Sequence, residues 1–115
     1  EEEWSFIRHY TYNPAWRKGK EAFFATDGSD QSMIVMFAPE GCVINGEVEN
    51  CVISKGVYIG EGAKVSNSII MQDTKIGCNT NLNYVIIDKD VKIQDGRSLM
   101  GYDSYPVYIA KKSVV

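Results

Sequence analysis

The stretch IGEGAKVSNSIIMQDTK (residues 59–75) is followed directly by IGCNTNLNYVIIDKDVK (residues 76–92), and the two equally long stretches share one pattern. Both begin with Ile-Gly, carry an aliphatic residue at the seventh position and carry Ile at the twelfth. The pattern extends into the rows that begin at residues 42 and 93. A repeat of fixed period indicates a stacked architecture and has to be identified before other features are interpreted.

Aligned in rows of this length, the chain has three columns of mostly aliphatic residues. They are Cys42, Ile59, Ile76 and Ile93; Val48, Val65, Leu82 and Leu99; and Ile53, Ile70 and Ile87. Neighbouring columns lie five or six positions apart, whereas an amphipathic helix needs apolar residues three and four apart. Short strands separated by turns fit this spacing. The sequence therefore predicts an all-β fold, a parallel β-helix of about 17 residues per coil, in which each coil contacts only its neighbours.

The residues between the columns fit the corners of such coils. Gly60 and Gly77 follow the inward isoleucines, where we expect the corner to need a positive φ. Asn50 and Asn67 share a column, and Asn tolerates the left-handed conformation. These asparagines either form a hydrogen-bonded ladder along the stack or serve only as turn residues. Further corner candidates are Gly46, Gly56, Gly62 and Gly96.

The pattern of an aliphatic residue, Gly and four further residues resembles the hexapeptide repeat, which implies a left-handed β-helix. More narrowly, SIIMQDTKIG (residues 68–77), VIIDKDVKI (85–93) and YPVYIAKKSVV (105–115) resemble the C-terminal domain of glucose-1-phosphate adenylyltransferase, also called ADP-glucose pyrophosphorylase. The nearest likeness is to the regulatory subunit of bacterial glycogen biosynthesis. The resemblance covers residues 38–115 and implies a β-helix domain there.

The resemblance also implies a function. Such a domain serves subunit assembly and allosteric regulation, while a catalytic domain or partner forms ADP-glucose from ATP and glucose 1-phosphate. We therefore expect a homo-oligomer, or a hetero-oligomer with a catalytic adenylyltransferase subunit, and a sugar-phosphate or nucleotide regulator. The glycine-rich nucleotide loop and basic signature of the family's catalytic domain do not occur in this sequence. We expect no catalytic, cofactor-binding or metal-binding residue here, and the Mg²⁺ of the family belongs to the catalytic domain.

The alternative is a stand-alone hexapeptide transferase acting on a sugar nucleotide or acyl-CoA. Acyltransferases of this fold use a histidine as general base, and the only histidine here is His9, outside the repeats. One histidine also falls short of the three that hold zinc in a γ-type carbonic anhydrase. Asp73, Asp88 and Asp90 fit turn-forming corner positions better than catalytic ones. Cys78 follows Gly77 at an exposed corner, without a histidine partner in the repeats.

Two groups of basic residues have two interpretations each. Arg17, Lys18 and Lys20 form one, and Lys111 with Lys112 forms the other. Each is either a solvated face or an anion contact for a phosphorylated regulator.

Composition limits the remaining classes. The chain of 115 residues is one small domain or part of a larger protein, and 44% apolar residues suffice for a core. The net charge of −3 gives no electrostatic reason to expect nucleic acid. No apolar run is long enough for a membrane span, and none opens the chain as a signal peptide would. Three cysteines without paired spacing indicate buried thiols in a reducing cytoplasm.

Residues 1–37 form a separate capping or linker segment in this interpretation. We expect a strand over residues 4–12, a helix or strand over residues 15–24, and a strand over residues 32–37. The last lies one repeat length before Val52 and Ile53, so it is predicted to form one side of an incomplete zeroth coil. Seven aromatic residues occur in residues 1–24. They are expected to cap the open end of the stack, with a dimerisation patch as the alternative.

The C-terminal part is predicted to depart from the period. MGYDSYP (residues 100–106) interrupts it, and residues 109–115 restart it with one step of six. The chain is expected to stop in mid-coil, leaving an apolar end that needs a partner.

Overall fold

The computed structural model describes residues 4–11, 22–26, 33–37 and 41–115. Every regular element in these ranges is a strand. The strands are β1 (Trp4–Thr11), β2 (Ala22–Thr26), β3 (Met33–Phe37), β4 (Val43–Ile44), β5 (Glu47–Ser54), β6 (Tyr58–Ile59), β7 (Lys64–Ser66), β8 (Ile69–Ile70), β9 (Lys75–Ile76), β10 (Asn81–Asn83), β11 (Val85–Ile87), β12 (Lys92–Ile93), β13 (Ser98–Met100) and β14 (Val107–Ile109). Within these ranges no helix of membrane-spanning length and apolarity is found.

Strands β4 to β14 stack as coils with three sides, and all their pairings with one another are parallel. The first face consists of β4, β6, β9 and β12. The second face consists of the first half of β5 with β7, β10 and β13, and the third of the second half of β5 with β8, β11 and β14. This is the all-β, left-handed parallel β-helix predicted from the hexapeptide pattern.

The predicted columns form the core. Ten of the eleven column residues, all except Leu99, are at most 1% exposed. Leu99, on the outermost strand of the second face, is only partly buried. A second, smaller inward residue precedes the aliphatic one by two positions, as Ser68 precedes Ile70. The sequence analysis did not identify these smaller columns.

One column assignment was wrong. Ile44, not Cys42, pairs with Ile59, so this step on the first face is shorter than the regular repeat by two positions. Ile44 and Val48 are four positions apart, whereas Ile59 and Val65 are six apart. Strands pair in the register that keeps the aliphatic residue in the core. Strand β4 therefore pairs with β6 in a register shifted by two positions, which compensates for the shorter corner. Cys42 is also buried, at the smaller inward position.

The corners use left-handed backbone in three columns. The corner between the second and third faces has φ of 58° at Asn50, 51° at Asn67 and 56° at Tyr84. A second corner column contains Gly56, Asp73, Asp90 and Lys112. The third contains Gly62, Asn79 and Gly96. The predicted corner roles of Asn50, Asn67, Gly56, Gly62 and Gly96 are confirmed. So are the turn-forming roles of Asp73 and Asp90, whereas Asp88 is not left-handed.

The positive φ expected at Gly60 and Gly77 was wrong, and the corner candidate Gly46 resembles them. None has a positive φ. A Cβ added at Gly60 would lie 2.9 Å from the Cys78 nitrogen, and one added at Gly46 would lie 2.6 Å from the Ala63 oxygen. These glycines are required because the backbone of the next coil approaches closely, which leaves no space for a side chain.

Gly46→Ala is expected to lower the free energy of unfolding by about 2 kcal/mol, because the added methyl group overlaps backbone atoms that cannot move independently. Gly96→Ala is the matched comparison, since no atom lies within 4 Å of the added Cβ and only the φ of 76° is unfavourable. Its cost should be about 1 kcal/mol. Urea denaturation measures both. A Gly96 variant at least as destabilised as the Gly46 variant would contradict the close-approach explanation.

The predicted interruption near the C-terminus is confirmed. Ile87 pairs with Ile109, so this step is longer than the regular repeat by five positions. The five extra positions lie within the insertion loop, defined here as residues 101–106, in which Tyr102 and Tyr105 make an antiparallel bridge. Lys92 then pairs with Val114, and this step is longer than the regular repeat by the same five positions. The regular repeat therefore resumes after the insertion loop.

The strand predicted over residues 4–12 is confirmed as β1, which pairs antiparallel with the whole of β5 from Trp4↔Ser54 to Thr11↔Glu47. Ile7 lies opposite Cys51 and is fully buried. The zeroth coil was wrong, because β3 pairs antiparallel with β2. One edge of β5 holds β7 and β8 and the other holds β1, so no edge is left for β3. Residues 12–21 lie outside the described part.

Candidate functional site

The corner between the second and third faces carries a groove of about 330 Å³, called here the corner groove. Its apolar floor comes from the outward residues of the third face, Val52, Ile69 and Ile86, which stack in register. Phe6 of β1, paired with Val52, lines it together with Asp103 and Pro106 of the insertion loop. The groove is therefore bordered by two segments that are not part of the repeat.

An asparagine ladder runs along this corner, and two of its residues, Asn50 and Asn67, line the corner groove. The Asn50 Nδ2 donates to Asn67 Oδ1 over 2.7 Å, and the Asn67 Nδ2 donates to Asn83 Oδ1 over 3.0 Å. The ladder interpretation of Asn50 and Asn67 is thus confirmed. The step to Asn83 is one position short of the regular repeat, because Tyr84 occupies the left-handed corner position.

Tyr84 is the unusual residue of this corner. Its φ of 56° is uncommon for a bulky side chain, while Asn at the two equivalent positions accepts this conformation readily. Tyr84 also lines the corner groove. The sequence analysis did not identify Tyr84 as a site residue, although continuing the column of Asn50 and Asn67 by one more repeat reaches it.

A polar cluster lies where the third face meets the next corner. The Tyr108 hydroxyl donates to Asp88 Oδ2 over 2.5 Å, and the Lys89 amide donates to Asp88 Oδ1 over 2.7 Å. These bonds, helped by the charges of Lys89 and Lys111, hold the pKa of the Asp88 carboxyl below its usual range. The bond to Asp88 also raises the pKa of Tyr108. Asp88 thus connects β14, which follows the insertion loop, to the preceding coil through the Tyr108 hydroxyl.

The regulator-contact candidates are only partly described. Lys111 and Lys112 are exposed neighbours in the turn after β14, with the Lys112 amide bonded to the Lys89 oxygen. That places three lysines at one corner, beside Asp88. Arg17, Lys18 and Lys20 lie outside the described residues.

The catalytic and metal candidates do not form a cluster in the described residues. No group of three or more His, Cys, Asp or Glu side chains there is placed to hold a metal ion. His9 lies in β1, as a strand position was predicted, and pairs with Glu49. Asp73 and Asp90 both lie in one corner column, where they serve as turn residues.

Two of the three cysteines are buried thiols, as predicted. Burial raises the pKa of Cys42 to about 12 and that of Cys51 to about 11. Both therefore stay protonated at neutral pH, and a protonated thiol is neither a nucleophile nor a metal ligand. Cys78 is only half-buried, and its amide donates to Asp95 Oδ1 over 2.8 Å.

A family comparison identifies the repeat. The model described as "GlmU-like, C-terminal hexapeptide" matches residues 20–106, most of the chain. The chain belongs to this family. No solved structure gives a significant match. In this chain the inward columns and the corner columns follow the repeat, whereas β1 and the insertion loop lie outside its period.

Several similar proteins are glucose-1-phosphate adenylyltransferases. Glucose-1-phosphate adenylyltransferase of Acetivibrio thermocellus is 40% identical over 88 residues, covering 71% of this chain and 20% of the relative. The Clostridium perfringens enzyme of strain 13 is 35% identical over 94 residues, covering 76% and 24%. The Bacillus cereus strain Q1 enzyme is 40% identical over 57 residues, covering 50% and 15%. The chain thus spans a quarter or less of these relatives.

Proposed function

We propose that this hexapeptide domain is the regulatory and assembly module of a glucose-1-phosphate adenylyltransferase-like protein of glycogen biosynthesis in the cytoplasm. The observation that carries the proposal is the 35–40% identity to adenylyltransferases over about three quarters of the chain. In the proposal, a catalytic domain or partner subunit, with its Mg²⁺, forms ADP-glucose from ATP and glucose 1-phosphate. The β-helix contributes subunit contacts and regulation.

Exposed aromatic residues support the assembly role. Tyr102 is 76% exposed, Tyr105 81% and Tyr108 58%, and Met100 beside them is 52% exposed. Tyr and Met are enriched in protein interfaces relative to other surfaces. Because these four residues belong to the insertion loop or flank it, that loop is the contact surface we assign to another subunit, either a second copy or a catalytic partner.

Charge supports the regulatory role. Lys89, Lys111 and Lys112 lie at one corner, and an anionic sugar phosphate or nucleotide would bind there with Arg17, Lys18 and Lys20 as further candidates. Asp88 is the carboxylate beside these lysines, and the Tyr108 hydroxyl already occupies one of its oxygens. The β1 strand completes the module in the proposal, as a cap on the edge of β5.

The chain alone is expected to form no ADP-glucose. Nucleotidyl transfer depends on positioning and electrostatic stabilisation of the phosphates. Incubation with ATP, glucose 1-phosphate and Mg²⁺ should release no pyrophosphate above a protein-free control. A parallel incubation with acetyl-CoA and UDP-N-acetylglucosamine tests the transferase alternative through release of free thiol. Heat-sensitive turnover in either reaction would replace the module interpretation with an enzymatic one.

A further inference from the structure

The corner groove has a surface chemistry that the regulatory role does not use. Its floor is a strip of aliphatic side chains, Val52, Ile69 and Ile86, and Ile69 is 39% exposed. Three parallel strands at about 4.8 Å spacing make this strip about 10 Å long. Phe6, 48% exposed, extends it beyond Val52 with an aromatic ring. A ligand seated here must present an apolar surface of similar length.

The side wall offers neutral hydrogen-bonding groups. Each carboxamide has two N–H hydrogens and two acceptor positions on its oxygen. The bonds among Asn50, Asn67 and Asn83 use only part of this capacity, so Asn50 and Asn67, which line the groove, can form further hydrogen bonds. Hydroxyl groups both donate and accept, so a row of hydroxyls matches a row of carboxamides. An apolar face combined with a hydroxyl rim is the surface of a sugar ring.

Charge favours a neutral ligand. Asp103 is the only charged residue among the described residues that line the groove, and no Lys or Arg is among them. A phosphate would face repulsion from this carboxylate without a compensating cation. A sugar hydroxyl, in contrast, can donate a charge-assisted hydrogen bond to it.

Backbone pairing argues against an extended peptide. Peptides that extend a sheet need a strand edge with unpaired N–H and C=O groups. The floor strands have no such edge, because β8 is paired on one side with β5 and on the other with β11, and β1 covers β5. The insertion loop and β1 also limit the length of the groove.

We propose that the corner groove is a binding site for a neutral carbohydrate, one or two sugar rings long, which stacks on the aliphatic floor and hydrogen-bonds to the asparagine ladder and Asp103. Tyr84 supplies an aromatic side chain at the position where the two earlier coils have Asn. The left-handed backbone of a bulky residue is unfavourable, and its presence at the groove is consistent with a binding role for its ring.

The test is an NMR titration of the ¹⁵N-labelled chain with two sugars of different linkage type, maltotriose and cellotriose. Shifts are expected at Asn67, Ile69 and Tyr84, with either sugar. Asp103→Ala should weaken binding about fivefold, the effect of one lost hydrogen bond. Ser104→Ala is the matched control, since Ser104 is its exposed neighbour and does not line the groove; it should change nothing.

Tyr84→Asn separates binding from folding. Asn accepts the left-handed conformation, so this variant should be at least as stable as the parent while losing affinity for the sugar. Absence of shifts with both sugars at tens of millimolar would overturn the proposal. So would equal effects of Asp103→Ala and Ser104→Ala, or tighter binding of glucose 6-phosphate or of a short apolar peptide at the same residues.

Discussion

Ile70→Asp is expected to destabilise the β-helix strongly. Ile70 has no exposed surface and lies between Ile53 and Ile87 in the middle of the inward stack. A carboxylate placed there is unpaired and desolvated, and an uncompensated buried charge costs about 3–5 kcal/mol. Natural domains have only about 5–15 kcal/mol of total stability, so this loss removes a large part of it.

The neighbouring residue provides the control. Ile69 belongs to the same short strand, β8, but points outward and is 39% exposed. Ile69→Asp should cost less than about 1 kcal/mol, because the charge stays in water. Circular dichroism during urea denaturation measures both variants. Equal destabilisation by the two substitutions would show that the inward and outward positions of β8 have been assigned incorrectly.

The inward columns could be predicted from the sequence because every coil has the same need for buried aliphatic residues. Each coil must bury an aliphatic residue on each side, so Val65, Leu82 and their equivalents recur at a fixed interval and can be counted. The shortened step to Ile44 could not be counted in this way. A shortened corner changes the interval, and only burial of Ile44 shows where the register resumes.

Glycine shows a different limit. Gly56, Gly62 and Gly96 occupy left-handed corners, whereas Gly60 and Gly77 are glycines because the next coil comes close. In the sequence both kinds follow the same period, and both are compatible with a turn. The distinction depends on the distance between two coils, which the order of residues does not contain.

The corner groove was also beyond the sequence analysis. The repeat supplies its floor and its asparagine ladder, and the ladder was foreseen as one of two alternatives. Its other borders come from β1 and the insertion loop, which are far apart in the chain and have no period. Their meeting at one corner is a consequence of tertiary pairing, namely of Phe6 with Val52 and of β14 with β11.

Ile7→Asp is expected to release β1 and to make the chain self-associate. Ile7 is a β1 residue whose side chain enters the core, opposite Cys51, and it is fully buried. An aspartate there loses the apolar contact and places a charge beside a protonated thiol, so pairing of β1 with β5 becomes unfavourable. The coils themselves remain paired with one another. The consequence is a folded β-helix whose β5 edge, Glu47–Ser54, exposes unpaired backbone groups.

Phe6→Asp distinguishes this effect from a general effect of charge on β1. Phe6 is adjacent, pairs with Val52 and is 48% exposed, so its replacement leaves β1 in place. Hydrogen exchange should show loss of protection in β5 for Ile7→Asp alone. Light scattering after gel filtration should show a mass that rises with concentration beyond that of the parent chain for Ile7→Asp and not for Phe6→Asp. If β5 stayed protected in the Ile7 variant, β1 would not be the cap. If β5 lost protection without association, an exposed strand edge would not be what drives assembly, and the aromatic insertion loop would remain as the contact surface.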